Sequence, residues 1–501
     1  MSERKPLVND VLILETNMNS RRFLLGTFLM VLLAGLVSLS WSAQTGGANG
    51  KIAARVLSET ANGGSTEALV VLTQQADLSP AYTMKTKLEK GTFVFNTLRA
   101  VASSTQGPIL DLLKQRGIPY QSFYIVNMIK VTGDRSLMDE LAARDDVARI
   151  DANPLVRTAL PNPHGKVSPN EAQGIEWNIT RVHAPDLWNL GYTGTGYVVS
   201  GADTGVQWDH PALKNQYRGW NGQQVDHDYN WDDAVDHSIA PFDPNDHGTF
   251  TVSEEVGDDG QGNQIGVAPG AKWIACRNMD ANGTGSPARY TECFQFIIAP
   301  WPINQPDQGD PAKAPDSVNN SWICPPSEGC SYDTLQSIVD AVRAAGIFPA
   351  MAAGNDGPDC STIEYPPAIY ASSVSVGALD SNNNIASFSS RGPVTIDGSN
   401  RTKPDLSAPG VSIRGAVPGN GYQSGWSGTS MAAPHIAGGV ALLWQANPSL
   451  VGNVSQTEAN MERAATHLID VQAVGYCRSP LVLQDNTFGW GLLNLLKASQ
   501  E

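Results

Sequence analysis

The sequence predicts an α/β protein, a mostly parallel sheet with helices on both faces, preceded by a small α+β domain of βαββαβ order. Three observations carry this. From Trp177 onward, short apolar runs end in polar, Gly-rich turns: Tyr197 to Ala202, Trp273 to Cys276, Ser317 to Ser321, Ile347 to Ala353 and Val374 to Val376. They alternate with helical stretches such as Leu335 to Ala345 and Met431 to Trp444, the pattern of strands crossed over by helices. A stretch rich in Pro, Asn and Gly, Asn153 to Gly174, sets this region apart from the chain before it.

The upstream elements follow in order. Glu67 to Thr73 is a strand, and a long or broken helical segment closes at Leu110 to Arg116. Tyr120 to Ile125 and Met128 to Thr132 are two strands, Ser136 to Arg144 is an amphipathic helix, and Val147 to Ala152 is a last strand. No His, Cys or acidic cluster gives this unit chemistry of its own.

Composition narrows the function. In 501 residues, 49 acids outweigh 33 bases, and the net charge of −16 argues against nucleic acid and anionic membranes as partners. Residues 1–43 have the form of a secretory signal: Arg21 and Arg22 precede an uncharged apolar run from Phe23 to Leu39, then small residues around Ser40, Ser42 and Ala43. An uncleaved membrane anchor is the other reading of that run. Residues 44–66 form a Gly/Asn/Ser linker. The six cysteines all lie in the second half, which suits disulfides in an oxidising compartment. Cys324 and Cys330 enclose a short loop; Cys276 with Cys293 and Cys360 with Cys477 is the expected remainder, one choice among the 15 that six cysteines allow. No His stands at ligand spacing beside them, which disfavours zinc.

The chemistry is concentrated in Gly425-Trp-Ser-Gly-Thr-Ser-Met-Ala-Ala-Pro-His-Ile-Ala-Gly-Gly439. Small residues around Ser430 let a substrate backbone approach. Pro434 belongs in the first turn of a helix, so the helix should begin at or just after Ser430. A serine there sits among unpaired N–H groups, which favour the oxyanion formed when an acyl carbon is attacked; a merely capping serine is the alternative. Upstream, the first strand ends at Asp203-Thr-Gly-Val206. An aspartic mechanism needs a second such tripeptide, and the chain has none. His247, in Asn245-Asp-His-Gly-Thr249, is the histidine best placed to be a base, and Asn355, in Met351-Ala-Ala-Gly-Asn355, ends a strand with an amide that can donate to an oxyanion.

Acid, imidazole, amide and hydroxyl in that order resemble the subtilisin-like serine peptidases over about Trp177 to Leu495, and the upstream unit, with Ser122-Phe-Tyr-Ile-Val-Asn127, resembles their propeptide, that of the bacillopeptidase F-like branch in particular. The resemblance implies that Ser430 is the nucleophile, His247 its base, Asp203 the residue that orients the imidazole, and Asn355 an oxyanion donor. It implies that Gly283, Thr284 and Gly285 with Ser321, Trp322 and Ile323 form the two edges holding an extended peptide, and that Ala353 and Gly354 line the primary pocket. Glu364 aligns with the back of that pocket, where its carboxylate would favour Arg or Lys before the cut; a solvated Glu364 is the alternative. Residues 67–157 resemble the family's inhibitory propeptide, with 158–176 as linker and maturation region, Arg157 as a natural cleavage point, and 177–501 as catalytic domain. The expected protein is a secreted or cell-envelope monomer, autoprocessed from a proenzyme, with polypeptide substrates, its own propeptide as inhibitor, and no membrane contact once the signal is removed. No cofactor is required for the chemistry.

Two departures from the family pattern stand out. The helix of the base reads His247-Gly-Thr-Phe-Thr-Val-Ser-Glu-Glu-Val256, placing Glu254 and Glu255 where the family buries small apolar residues. Ala212 stands where relatives have an acid that helps bind calcium; the insertion from Lys214 to Asp246, with Asp226, Asp228, Asp232, Asp233 and Asp236, is either a structural calcium site or a solvated acidic loop. The alternative reading of the whole chain is a catalytically impaired homologue that uses its groove to bind peptides.

Overall fold

The computed structural model describes residues 48–157, 160–161, 165, 167–168, 174–469, 476–478 and 483–501. The expected signal segment and residues 44–47 of the expected linker lie outside these, as does much of 158–176.

The upstream unit is a four-stranded antiparallel sheet of β1 (Ser65–Leu72), β2 (Tyr120–Phe123), β3 (Met128–Asp134) and β4 (Val147–Ala152), in the order β2-β3-β1-β4. Its helical segment is broken, as α1 (Lys87–Thr105) and α2 (Gly107–Gln115), and α3 (Arg135–Ala142) precedes the last strand. Thr86 and Glu89 form a reciprocal capping box that starts α1. The break has a physical cause: Pro108 starts a new helix at Gln106, whose buried amide donates to the Phe123 carbonyl at 2.8 Å. Residues 48–66 are corrected from linker to structure. A short helix, Ala54–Glu59, buries Val56, and Ile52 joins the same core, so these two apolar side chains at i, i+4 spacing anchor the segment.

The main sheet has seven strands, all paired in parallel: β5 (Val198–Asp203), β6 (Trp231–Asp233), β7 (Lys272–Arg277), β8 (Ser317–Asn320), β9 (Phe348–Ala352), β10 (Val374–Leu379) and β11 (Leu406–Pro409). Their order is β11-β10-β9-β8-β5-β7-β6, so the winding reverses beside β5. One face carries α4 (His247–Val256) and α7 (Thr429–Ala446); residues of the other pack with α5 (Pro287–Ile298) and α6 (Gln336–Ala344). The carboxyl ends of β5, β8 and β9, where a parallel sheet opens a crevice at its switch point, therefore deliver Asp203, Ser321 and Asn355 to one place.

The upstream sheet and the main domain share a hydrophobic cluster in which Leu69, Val71, Phe123 and Ile125 meet Phe294, Ile297, Ile338 and Val342. Polar contacts register the two. Gln121 donates to Glu292 at 2.6 Å, the Tyr124 N–H donates to the Gln295 side chain at 2.8 Å, and Lys87 pairs with Asp316 at 2.7 Å.

Disulfides join Cys276 to Cys293, Cys324 to Cys330 and Cys360 to Cys477, the pairing expected from the sequence. The position of Pro434 differs from expectation: α7 starts at Thr429, so Pro434 falls in its second turn. The Ser430 carbonyl, which Pro434 cannot serve, accepts instead from the Ser321 hydroxyl at 2.9 Å.

Candidate active site

Asp203 ends β5 and His247 begins α4. The imidazole Nδ1 lies 2.8 and 2.9 Å from the two Asp203 oxygens, and both residues are buried. With Asp203 also accepting the Thr204 N–H at 2.7 Å, the carboxylate holds the proton on Nδ1 and leaves Nε2 as the basic nitrogen. Nε2 has no hydrogen-bond partner among the described residues.

The junction between β5 and α4 is fixed by Asp243, which the sequence analysis did not single out. Its carboxylate accepts from the Thr204 hydroxyl, the Asn245 and Asp246 N–H groups, and both the N–H and hydroxyl of Thr249, at 2.7 to 3.2 Å. Thr204 in turn accepts the Gly248 N–H at 2.9 Å. Burial raises the Asp243 pKa even so. An acid a few residues before a helix start, followed by Thr in its first turn, is the signal that could have revealed it. Asp246 between them adopts φ of 92°, and burial, with Asp243 beside it, pushes its carboxyl up to about 6.

Ser430 occupies the first turn of α7. In this conformation its hydroxyl donates to the Ser321 carbonyl at 3.0 Å. The Asn355 amide is oriented by its neighbours: its oxygen accepts the Thr429 N–H at 2.9 Å and the Thr429 hydroxyl at 3.0 Å, which leaves its NH₂ to donate elsewhere. Ser430 and Asn355 line a cleft of about 340 Å³ together with Ser321, Trp322, Ile323, Gly354 and Asp356.

Thr284 and Gly285 form a short strand, and a side chain at Gly285 would strike the Tyr290 hydroxyl at 2.0 Å. Gly283 precedes it in a turn at φ of 71°. On the other side Trp322 donates to the Ala202 carbonyl at 2.8 Å and stacks on Tyr290, which ties that edge to the end of β5. Ala353 is buried behind the cleft rather than in its lining. Glu364 is exposed and outside the lining; the acid that lines the cleft is Asp356, with Tyr365 beside it. The sequence analysis missed Asp356 because an Asp after a Gly-Asn turn is unremarkable in one dimension.

The cleft also receives the chain's own upstream segment. Val156–Arg157 pairs antiparallel with Thr284–Gly285, Arg157 opposite Thr284, and Leu160 and Pro161 line the cleft beyond it. A side chain at Gly428 would come within 2.8 Å of Pro161, so the segment lies directly over the start of α7.

Each of the five named acids of the insertion has a protein partner. Asp233 and Asp236 pair with Arg277, Asp232 accepts the Trp301 indole N–H, Asp228 the Ile303 N–H, and Asp226 the Asp228 N–H. Ala212 is buried in a small apolar cluster with Ile265, Ala416 and Tyr422. The carboxylates close enough to share a cation, among the described residues, are Asp405, Glu458 and Glu462, within 4.8 Å, with Lys403 already 2.6 Å from Asp405.

Comparison with known proteins agrees with this geometry. Residues 194–491 match the sequence pattern of the subtilase family. The chain is 38% identical over 432 residues to Bacillopeptidase F of Bacillus subtilis, covering 83% of this chain and 29% of that protein. It is 29% identical over 412 residues to Subtilisin E of Bacillus subtilis, 81% of this chain and 88% of that protein, and 34% identical over 297 residues to Subtilisin Savinase of Lederbergia lenta, 59% and 93%.

Proposed function

We propose, from the premise that this chain belongs to the subtilase family of serine peptidases, that it is a secreted endopeptidase working through a Ser430 acyl-enzyme and made as a self-processing proenzyme. The observation that carries the reading is the Asp203–His247 pair together with a cleft lined by both Ser430 and Asn355, whose Trp322 is bonded to the Ala202 carbonyl next to Asp203. The Ser430 hydroxyl leaves the Ser321 carbonyl for His247 Nε2, the ring nitrogen left without a partner, and attacks the peptide carbonyl as the imidazole takes its proton. Asp203 stabilises the imidazolium. The Asn355 NH₂ and the Ser430 N–H hold the oxyanion, and His247 then protonates the leaving amine.

The strand pairing of Val156–Arg157 on the substrate edge, with Leu160 and Pro161 beside Ser430, supports residues 67–157 as an inhibitory prodomain whose tail occupies the groove as a substrate would. Arg157 is paired at that edge and itself lines the cleft with Leu160 and Pro161, which supports a maturation cut at or shortly after Arg157. Asp356, in place of Glu364, is the acid that would select Arg or Lys before the cut. Three disulfides are in keeping with an oxidising compartment outside the cytoplasm. No helix of the described residues is long and apolar enough to cross a membrane.

The test is intact mass and N-terminal sequencing of the chain expressed from residue 44, wild type beside Ser430→Ala. Wild type should shed its upstream domain while the variant stays whole. If both stay whole and the wild type also fails to label with a serine-directed phosphonate, the peptidase reading gives way to a peptide-binding one.

A further inference from the structure

The last turns of α4 hold two adjacent glutamates that the peptidase chemistry does not use. Glu254 and Glu255 are 0% exposed, and none of their four carboxyl oxygens has a hydrogen-bond partner among the described residues. The helix is clamped where it is. The Glu254 and Glu255 carbonyls accept the Val267 and Ala268 N–H groups at 2.9 and 2.8 Å, and a side chain on Gly438 of α7 would come within 2.7 Å of the Glu255 carbonyl. Glu255 lies on the β5 side, its Oε1 about 4.0 Å from where a Gly201 side chain would begin.

The elements packed on α4 are β5, β7, α7 and the strand Ile413–Val417. Their charged and titratable groups offer no counter-ion. β5 contributes Asp203, another acid. On α7, His435 has its ring nitrogens on the Met431 carbonyl and the Asn178 side chain, and burial pushes it down to about 4, so it is neutral. Arg414 of the 413–417 strand is held by Glu176 and Asn263. On β7, Lys272 donates to the Asn215 carbonyl and Arg277 pairs with Asp233 and Asp236. A carboxylate buried without cation or donor is strongly disfavoured, so both glutamates carry a proton in the folded state.

We propose that α4 is held in place by protons: it stays seated, presenting His247, while Glu254 and Glu255 are protonated, and it opens as they ionise, which sets an upper pH limit on this chain's working range. The direction follows from linkage. Burial raises both carboxyls well above the ordinary 4.5, Glu254 further through Glu255 and Glu255 further through Asp203. The seated form is therefore fully stable below the unfolded value and loses stability as pH climbs towards the raised ones. Each glutamate that is protonated when seated and ionised when open adds about a factor of ten per pH unit to the opening equilibrium, and the pair about a hundredfold.

The inference concerns the seating of the helix and does not require that the enzyme turn over, so it is tested in the full chain carrying Ser430→Ala. Native-state hydrogen exchange of the amides of 252–256, divided by their intrinsic rates, gives the opening constant from about pH 4.5 to about pH 7.5. It should climb by up to about a hundredfold per unit and become flat in Glu254→Met/Glu255→Met. If that double variant does not fold, Glu254→Gln and Glu255→Gln should each remove one factor of ten from the slope. An opening constant independent of pH, or a slope the variants share with the parent, overturns the proposal. Since nothing in the readout depends on hydrolysis, that result and the loss of the peptidase reading are separately visible.

Discussion

The two ends of α4 bury carboxyl groups under opposite conditions. At its head, Asp243 is enclosed by donors from Thr204, Asn245, Asp246 and Thr249. At its tail, Glu254 and Glu255 are at least as deeply enclosed and have no donor among the described residues. Depth of burial is thus a poor guide to what an acid does to a fold. Where backbone and hydroxyl donors replace water, a carboxyl organises the chain around it, as Asp243 does for His247. Where they do not, it must stay neutral, and the helix becomes a reporter of pH. One ten-residue helix is thus preceded by an acid enclosed by donors and ends on two that have none among the described residues.

The largest effect asks whether the head of α4 works at all despite its tail. Ser430→Ala should abolish peptide hydrolysis by about 10⁶-fold in kcat, the loss found when subtilisin itself is deprived of its nucleophile, read with a chromogenic peptide. If wild type and variant were equally inert, the head would be organised in vain. Next comes the tail. Because the folded pKa values of Glu254 and Glu255 are raised, stability is greatest below about pH 4.5 and falls by about 1.4 kcal/mol per unit for each glutamate as pH rises. Glu254→Met/Glu255→Met should remove that slope, so that the variant gains on the parent as pH rises, in chemical denaturation. Asp232 and Glu292 are also raised and slope the same way, so only the difference between parent and variant isolates the pair.

Smaller effects sharpen the contrast. Asn355→Ala should lower kcat by about 10²–10³ with KM little changed, the size known for subtilisin's side-chain donor. Asp243→Ala should cost about 3 kcal/mol, because it strands the donors of Thr204 and Thr249. A cost no greater than that of a surface substitution would remove the distinction between the two ends. Asp356→Ser should reduce kcat/KM for substrates with Arg or Lys before the cut by about tenfold, with neutral substrates unaffected.

Much of this was legible along the chain. Apolar runs ending in Gly-rich turns are a local signature of parallel strands, so five of the sheet's seven strands and the positions of Asp203, Asn355 and Ser430 at strand or helix ends followed from pattern, whereas the short edge strands Trp231–Asp233 and Leu406–Pro409 did not. The Ser430 motif is specific because small residues must crowd a nucleophile at a helix start. The break at Gln106 and the structure of 48–66 were less visible, since a six-residue helix declares itself only through what it packs on. Asp356 escaped notice, and Glu364 took the solvated one of its two readings, because which side of a turn faces a cleft depends on chain far away in sequence.

By itself, then, the sequence determined the class of the sheet, the order of acid, base, amide and hydroxyl, and the anomaly of two glutamates in the helix of the base. Only the tertiary structure decided what that anomaly means. Whether Glu254 and Glu255 reach water depends on β5, β7 and α7, elements that close over α4 from up to nearly 200 residues away in the chain. The same holds for Asp243, whose donors come from both sides of the junction it fixes. Solvation of a buried charge is a property of the whole enclosure, and no local pattern encodes it.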